Sequence, residues 1–317
     1  YKTPERFKEL RSPYGDRLAF LCQIEIEYEN GEKENIITDS SWECAESPIL
    51  FSEIYDGETY DARLERKGWN EEKGKAYSWR KPEIIAVDKK ILTAQSGGKV
   101  KEIERLPVKR FFETPKGEQV IDFGQNLAGW VEFKVKGRRG DKVELHCFEV
   151  LDNEGNVYRD NLRTAKQAIT YICADDKEQI YHPYFSYQGF QYVQIVSYPG
   201  KVKPEDFTAC VIHTAMDRTG EFSCSNELVN QLHHNILWGM KGNFLDVPTD
   251  CPQRDERLGW TGDAQIFCRT ASYLMDTDVF YRKWLADVRA GQTEDGGIPH
   301  VVPDVFKGKA TIGNKVY

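Results

Sequence analysis

DVPTDCPQRDERLGWTGD, at residues 246–263, is the stretch on which the interpretation of the whole chain depends. It holds five carboxylates, two arginines, two prolines, two glycines and one tryptophan within 18 residues. Pro and Gly at this density, between two amphipathic segments, predict a loop of fixed shape. Several acids beside an aromatic ring indicate a carbohydrate cleft, because glycoside hydrolysis needs one carboxylic acid to protonate the leaving oxygen.

Two other interpretations of this loop stay open on composition alone. Its acids and arginines can pair as solvated surface salt bridges, as charge runs usually do. They can also chelate calcium, although the EF-hand spacing with its central glycine is missing. If the end of the loop were helical, Glu256, Trp260 and Asp263 would share one face, but Gly259 and Gly262 weaken that assumption.

The chain before this loop has the pattern of β structure. Short stretches rich in β-branched and aromatic residues alternate with Gly, Asn and Asp turns, and Asn30-Gly31 marks a hairpin. The predicted strands include 18–28, 131–135, 142–147, 168–173 and 190–198. Strands of this length and spacing predict β-sandwiches. We expect one such domain at 1–95, incomplete at its start, and a second at 105–218.

Helical periodicity replaces the β pattern near residue 219. The stretch 226–240 places Leu228, Leu232, Ile236 and Met240 at intervals of four, with Ser225 or Asn226 suited to the N-cap. Two further helices are predicted at 261–274 and 278–290. We therefore expect an all-α domain at 219–317 that is truncated after about three helices.

Composition limits the classes of partner. The net charge of -8 disfavours nucleic acid and anionic membrane, since both need a basic surface. No apolar run approaches the roughly 20 residues that span a bilayer. The chain begins with Tyr1-Lys2-Thr3-Pro4, which is neither an initiator methionine nor a secretion signal, so we expect sequence upstream. A homo-oligomer remains open.

The eight cysteines are scattered, without CxxC pairs or a framework spacing. In a chain of this size they predict reduced, mostly buried thiols, and no structural zinc site. Free thiols favour the cytoplasm, although the compartment is not fixed by this argument.

Three segments, in order, resemble the α-L-rhamnosidases of glycoside hydrolase family 78. Residues 246–263 resemble the signature of that family, and 120–130 (VIDFGQNLAGW) resemble the hallmark of the β-sandwich that precedes its catalytic barrel. Residues 54–63 (IYDGETYDAR), followed by Gly68-Trp69, resemble the end of its amino-terminal β domain. The resemblance implies β-sandwich domains followed by the first helices of an (α/α)6 barrel, starting at about residue 220.

The resemblance also implies hydrolysis of terminal α-L-rhamnosides with inversion, without cofactor or metal. Glu256 stands where the family has its general acid, and Asp250 and Asp263 stand where carboxylates hold the rhamnose hydroxyls. Arg254 and Trp260 are implied as further substrate contacts. The family's general base is a glutamate further along the barrel, with no counterpart here, so the resemblance implies that these residues alone are inactive.

Two rival functions follow from the same sequence. The β domains could act as a carbohydrate-binding or scaffolding unit without catalysis, or the barrel could be an inverting hydrolase for another sugar.

Three other features have a plainer interpretation beside a functional one. In 122–126 (DFGQN), Asp122 and Gly124 with Asn126 predict a tight turn rather than a ligand site. The aromatic stretch 184–192 predicts sheet core and edge rather than a sugar platform. Asp295 and His300, around Gly296-Gly297, predict a turn rather than a substrate contact.

Overall fold

The computed structural model describes residues 17–71, 78–306, 311–312 and 315–316. Two compact units are present. The smaller contains the described parts of Tyr14–Pro48 and Leu64–Gln95, and the larger contains Ile49–Arg63 and the described chain from Ser96 onward.

The smaller unit contains one β-hairpin. Strands β1 (Gln23–Glu27) and β2 (Lys33–Ile37) are antiparallel, and the turn between them contains Gly31 at a φ of +83°. The hairpin predicted at Asn30-Gly31 is confirmed, because only a residue tolerant of positive φ fits this turn. Its first strand begins at Gln23, five residues after the predicted start at Leu18.

The larger unit is built on a ten-stranded sheet. Its main strands are β3 (Ile49–Glu53), β4 (Gly57–Asp61), β5 (Val100–Pro107), β6 (Arg110–Glu113), β7 (Gln119–Lys136), β8 (Lys142–Phe148), β11 (Ala168–Ile172), β12 (Glu178–Tyr181), β13 (Gln188–Ser197) and β14 (Phe207–Thr214). The order is β3-β4-β11-β8-β13-β7-β14-β5, with β6 and β12 also paired to β7. All pairs are antiparallel except β4 with β11. Two short strands, β9 (Val150–Leu151) and β10 (Val157–Tyr158), form a separate hairpin.

Strand β7 is long enough to pair with four other strands along its length. Its first part pairs with β6 and β13, and its last part pairs with β14 and β12. Alternate side chains of β7 and its neighbours form the main core, in which Phe133, Leu145 and Phe190 are fully buried. The strands predicted in this region from the sequence are confirmed, and this period-two burial explains why they were visible.

The 122–126 segment is a bulge inside β7 and not the separate turn that the sequence predicted. Opposite Gln191 the register jumps from Leu127–Phe190 to Asp122–Tyr192. Asp122 accepts a hydrogen bond of 2.7 Å from the Gly124 amide, and Gly124 has a φ of +74°. The turn chemistry predicted for these two residues is confirmed, whereas Asn126 has no positive φ and continues the strand. Bulges re-aim the side chains next to them.

Three helices follow the sheet, at the predicted places. They are α1 (Glu227–Asn243), α2 (Thr261–Leu274) and α3 (Asp278–Ala290). Asn226 is the N-cap of α1, and its side chain accepts a hydrogen bond of 3.0 Å from the Leu228 amide. In the helical core the rings of Phe244 and Phe280 stack at 4.6 Å. Two terminal strands, β17 (Thr311–Ile312) and β18 (Lys315–Val316), pair with each other.

The apolar row predicted along α1 is buried only toward its end. Met240 is buried and Ile236 is half-buried, but Leu228 and Leu232 are 81 % and 57 % exposed. Other apolar side chains on the helices are also exposed, including Ile266 and Leu285. Among the described residues, no helix is long and apolar enough to cross a membrane.

Substitutions at two glycines test this packing, one expected to destabilise the fold and the other to stabilise it. A Cβ atom at Gly129 in β7 would overlap the carbonyl oxygen of Cys210 in β14, whereas a Cβ atom at Gly239 in α1 meets nothing within 4 Å. We expect Gly129→Ala to lower the free energy of unfolding by about 1–3 kcal/mol or more. Gly239→Ala should raise it by up to about 1 kcal/mol, because alanine favours a helix over glycine. Urea denaturation of both variants is the measurement, and a loss of stability in both would contradict the packing described.

Candidate active site

The loop between α1 and α2 is irregular for most of its length. It begins with two short strands, β15 (Phe244–Leu245) and β16 (Val247–Pro248), joined at Asp246 with a φ of 67°. Regular structure resumes only when α2 begins at Thr261. The helical face considered for Glu256, Trp260 and Asp263 is therefore wrong, and the two glycines that weakened it lie on either side of Trp260.

Arg257 fixes this loop to the sheet. Its side chain is buried, and its guanidinium donates to the backbone oxygens of Ile54 (2.5 Å), Tyr187 (2.8 Å) and Gln253 (3.1 Å). It also donates to the Gln167 amide oxygen at 3.3 Å. Arg257 has a φ of 47°, which costs a non-glycine residue backbone strain that the surrounding contacts must hold. Loop and sheet are thereby joined through one buried cation.

Two aromatic rings and a glycine in β13 also contribute to this anchor. The Arg257 guanidinium lies 5.3 Å from the ring centre of Tyr55 and 4.9 Å from that of Tyr187. The Tyr55 hydroxyl donates to the backbone oxygen of Glu256 at 2.5 Å. Gly189 in β13 lets the loop approach closely, because a Cβ atom there would lie 2.8 Å from the carbonyl carbon of Pro252.

Glu256 is buried between two arginines. Its Oε2 atom accepts from Arg163 Nη1 at 2.8 Å and from Arg254 Nε at 3.2 Å. Arg163 follows the short 3-10 turn Asp160–Leu162 and has a φ of 59°. Its contact with Glu256 joins two residues that are 93 positions apart in the sequence. The neighbouring Asp255 is also buried and accepts from the Thr164 hydroxyl at 2.6 Å. The sheet therefore holds both adjacent acids, each by a different side chain.

Asp250 braces the loop internally. Its Oδ1 atom accepts from the Leu258 amide at 2.9 Å, and its own amide donates to the Leu258 oxygen at 3.0 Å. Its Oδ2 atom accepts from Arg254 Nη2 at 3.1 Å. Arg254 thus bridges Asp250 and Glu256, so the structure brings three of the five predicted site residues into direct contact.

The acids and arginines of the loop form ion pairs. These pairs are buried, and so they differ from the solvated surface salt bridges that the composition also allowed. The Glu256 and Asp250 side chains are only 5 % and 6 % exposed. Removing one member of a buried pair leaves an uncompensated charge, which is costly. These pairs therefore fix the loop's geometry.

Trp260 and Asp263 lie further along the loop. Trp260 packs against a cluster of Leu258, Val301, Val305 and Phe306. Asp263 is exposed in the first turn of α2. Asp263 lines a cavity of about 640 Å³ between α1 and α2, which Asp250 also lines. Position alone does not assign a ligand to either residue, and their predicted roles in substrate binding stay predictions.

A second cavity, of about 410 Å³, lies between α1, the β7 bulge and the loop. Asp250 lines it as well, together with Arg254. The loop therefore has a cavity on each of two sides, and Asp250 borders both.

One group in the loop has the composition of a metal site. Asp250, Cys251 and Glu256 place one ligand atom each within 4.8 Å of one another. Arg254 lies against both carboxylates, and burial raises the pKa of the Cys251 thiol to about 12. A metal needs the thiolate. The group is better explained as part of the ion-pair network, and we assign it no metal.

The aromatic stretch matches its plainer interpretation, whereas the prediction of mostly buried thiols holds for only half of the cysteines. All eight cysteines are free, and Cys147, Cys173, Cys210 and Cys251 are buried. In 184–192, Phe190 belongs to the core, whereas Tyr184 and Phe185 are exposed in the connection between β12 and β13.

The Gly-rich stretch after α3 forms a turn, as predicted, in which Thr293 bonds Gly297. His300 acts through its backbone oxygen, which accepts from the Thr261 amide at 2.9 Å where α2 begins.

Sequence reasoning missed the residues that the sheet contributes. Arg163, Thr164 and Gln167 lie in a segment without any signature, and Tyr55 lies in a stretch that indicated a domain end and not a site. Only the fold brings them to the loop. Arg163 and Gln167 do have positive φ, a strain that often marks functional positions. That signal exists in the structure and not in the sequence.

Comparison with known families covers nearly the whole chain. Residues 1–104 match the α-L-rhamnosidase N-terminal domain, and 112–213 match the bacterial α-L-rhamnosidase concanavalin-like domain. Residues 217–315 match the bacterial α-L-rhamnosidase 6 hairpin glycosidase domain.

Individual relatives agree with this assignment. An α-L-rhamnosidase of Streptomyces avermitilis is 40 % identical over 306 residues, which are 96 % of this chain and 29 % of the relative. One of Formosa agariphila is 38 % identical over 92 % of this chain and 32 % of its own length. The chain thus spans about a third of the length of the curated relatives it matches.

Solved structures have the same fold. The native α-L-rhamnosidase of Aspergillus terreus superposes with a TM-score of 0.90 at 42 % identity, over 93 % of this chain and 34 % of that one. The Streptomyces avermitilis enzyme complexed with L-rhamnose gives 0.85 at 40 % identity, over 93 % of this chain and 28 % of that one. The predicted fold class, β domains followed by the first helices of a helical barrel, is confirmed.

Arg257 provides a test of the anchor. Arg257→Lys keeps the charge but cannot reach all four acceptors, so buried oxygens lose their partners. We expect the free energy of unfolding to fall by about 2 kcal/mol or more. Arg282→Lys, at an exposed ion pair on α3, is the matched control and should change it by less than about 1 kcal/mol. Equal effects in urea denaturation would show that Arg257 is not an anchor.

Proposed function

We propose that this chain, which belongs to the bacterial α-L-rhamnosidase family, carries the acid side of an active site that hydrolyses terminal α-L-rhamnosides. The observation that supports this most is the position of Glu256. It is a buried carboxyl whose Oε2 atom is held by Arg163 and Arg254, in a loop bordered by two cavities. A carboxyl fixed in this way suits a group that must present one oxygen to a substrate repeatedly.

In this proposal Glu256 is the general acid. It donates a proton to the glycosidic oxygen as the bond to the anomeric carbon breaks, so the leaving group departs as an alcohol. The two guanidiniums that contact its Oε2 atom fix the orientation of the carboxyl toward the leaving oxygen. Asp250 and Asp263, which share the larger cavity, would accept hydrogen bonds from rhamnose hydroxyls, with Arg254 and Trp260 as further contacts.

The reaction is proposed to invert the anomeric carbon. Inversion needs a second carboxylate about 6.5–9.5 Å from the acid, with a water molecule between them. The family resemblance implies that this base is a glutamate beyond residue 317. We therefore expect turnover from the complete native protein that contains this chain, and none from residues 1–317 alone.

The role of Glu256 is tested in the complete native protein with two substrates. Glu256→Gln should reduce kcat/KM for methyl α-L-rhamnoside by about 10²–10⁴-fold, because this leaving group needs a proton. The loss should be milder for p-nitrophenyl α-L-rhamnoside, whose leaving group needs little protonation. Asp255→Asn, at the adjacent buried acid, is the matched control and should cost much less.

Two results would contradict this assignment. If Asp255→Asn costs as much as Glu256→Gln, Glu256 is not distinguished as the acid. If the unaltered protein hydrolyses no rhamnoside but keeps an affinity for sugar that survives Glu256→Gln, a carbohydrate-binding function is favoured.

Arg163 is proposed as a positioning residue for the acid. Arg163→Met removes the 2.8 Å contact with the Glu256 carboxyl and keeps the contact with Arg254. We expect kcat for methyl α-L-rhamnoside to fall about tenfold or more, and kcat for the p-nitrophenyl substrate to fall less. Arg138→Met, at an exposed turn of the same sheet, is the control. Equal losses on both substrates would indicate a structural role only.

A further inference from the structure

A hairpin that comes early in the chain is part of the larger compact unit. Residues Ile49–Arg63 belong to that unit, although the described residues on either side of them belong to the smaller one. The hairpin consists of β3 and β4, and β4 pairs with β11 in parallel. A Cβ atom at Gly57, where φ is +101°, would lie 1.9 Å from the carbonyl oxygen of Ala168. The hairpin therefore lies in close backbone contact with the large sheet.

The turn of this hairpin reaches the loop that carries the acids. Tyr55 is fully buried in that turn, and its hydroxyl donates to the backbone oxygen of Glu256 at 2.5 Å. Tyr55 also packs with Leu162 and Ala165. These two residues flank Arg163, whose guanidinium contacts the Glu256 carboxyl at 2.8 Å. One tyrosine thus contacts both the backbone of the acid and the segment that holds its carboxyl.

The backbone of Tyr55 is fixed by the residues around it. Its amide donates to the Glu53 carboxylate at 2.8 Å, and its carbonyl oxygen accepts from the Gln167 amide at 2.9 Å. The carboxylate of the next residue, Asp56, accepts from the Lys166 amide at 3.3 Å. Because both the backbone and the ring are held, the hydroxyl is preorganised at the Glu256 oxygen.

The hydroxyl acts on a peptide group next to a strained residue. Arg257 follows Glu256 and has a φ of 47°, in the left-handed region. Since a peptide group is planar, rotating the Glu256 carbonyl would change the φ of Arg257 and the ψ of Glu256 together. A hydrogen bond from Tyr55 to that oxygen opposes the rotation. The acid is then held at its backbone by a tyrosine and at its carboxyl by two guanidiniums.

We infer that Tyr55 is a positioning residue for the general acid, and that the turn of the β3–β4 hairpin is therefore part of the catalytic site. Tyr55 acts through the backbone of Glu256 and lines neither of the two cavities beside the loop. Its effect is on the catalytic step and not on substrate binding. The inference rests on the proposed rhamnosidase function, which it extends to a residue 201 positions before the acid.

The test uses Tyr55→Phe in the complete native protein. Phenylalanine keeps the buried ring and removes only the hydroxyl. We expect kcat for methyl α-L-rhamnoside, whose leaving group needs a proton, to fall about five- to tenfold. KM should be unchanged, and kcat for p-nitrophenyl α-L-rhamnoside should fall less, since its leaving group needs little protonation. The ratio of the two kcat values, methyl over p-nitrophenyl, should therefore fall.

Tyr181→Phe is the matched control. The Tyr181 hydroxyl is also buried and donates to Glu58 of the same hairpin at 2.7 Å, while its ring packs against Phe133 and Tyr171. Urea denaturation should show a loss of stability for both variants, but only Tyr55→Phe should lower the kcat ratio. Leu162→Val, which loosens the packing around Tyr55, is a second variant with the same expected direction, should Tyr55→Phe fail to fold.

The outcomes separate the inference from the function on which it rests. An unchanged kcat ratio in Tyr55→Phe, whatever its loss of stability, would mean that the hydroxyl only supports the fold. A ratio that Tyr181→Phe lowers equally would mean that it reports a general loosening of the hairpin. Either result overturns the positioning role while rhamnosidase activity stands. If the unaltered protein cleaves neither rhamnoside, the proposed function fails and the inference fails with it.

Discussion

The buried guanidinium of Arg257 is the interaction on which the site depends. A cation taken out of water must have its hydrogen bonds replaced, and here two segments of the sheet domain, through Ile54 and Tyr187, supply backbone oxygens that do so. If the loop moved away from the sheet, the guanidinium and those carbonyl groups would lose their partners together. The loop is therefore tied to the sheet by the cost of leaving these buried groups without partners, and its acids have a fixed position as a result.

This constraint explains why the sheet domain reaches the chemistry at all. With Arg257 in place, Arg163 and Thr164 meet the adjacent acids Glu256 and Asp255 from the side of the sheet. A carboxyl held at one oxygen by two guanidiniums has little freedom to rotate, so its other oxygen points in a defined direction. Such preorganisation is difficult to obtain from a loop alone, since loops hold side chains less firmly than sheets and helices do.

Local sequence signals made the helices and several strands predictable. Features that depend on contacts between distant parts of the chain could not be predicted in this way. The borders of α2 and α3 follow from periodicity, and the hairpin follows from Asn30-Gly31. Asp122 and Gly124 were correctly assigned their turn chemistry, but whether such a turn ends a strand or interrupts one depends on the partner strand, here β13. For the site, the loop's own acids were visible, whereas Arg163 lies 93 positions from Glu256 and has no local signature. The helical face for Trp260 failed because packing against Val301 and Phe306 overrides spacing.

The buried ion pairs of the loop contribute more to the fixed position of its acids than to the free energy of unfolding. Burying a carboxylate with an arginine gains little net free energy over apolar packing, since desolvation offsets the attraction. Yet Asp250 and Glu256 are almost fully buried and share Arg254, while Arg163 adds a second cation to Glu256 alone. An apolar loop of the same shape would hold the helices together as well. What it could not do is hold a buried carboxyl by two cations and link it, through Arg254, to an acid that borders two cavities. That arrangement fixes the geometry of two acids, which is what a site that acts through carboxyl groups requires.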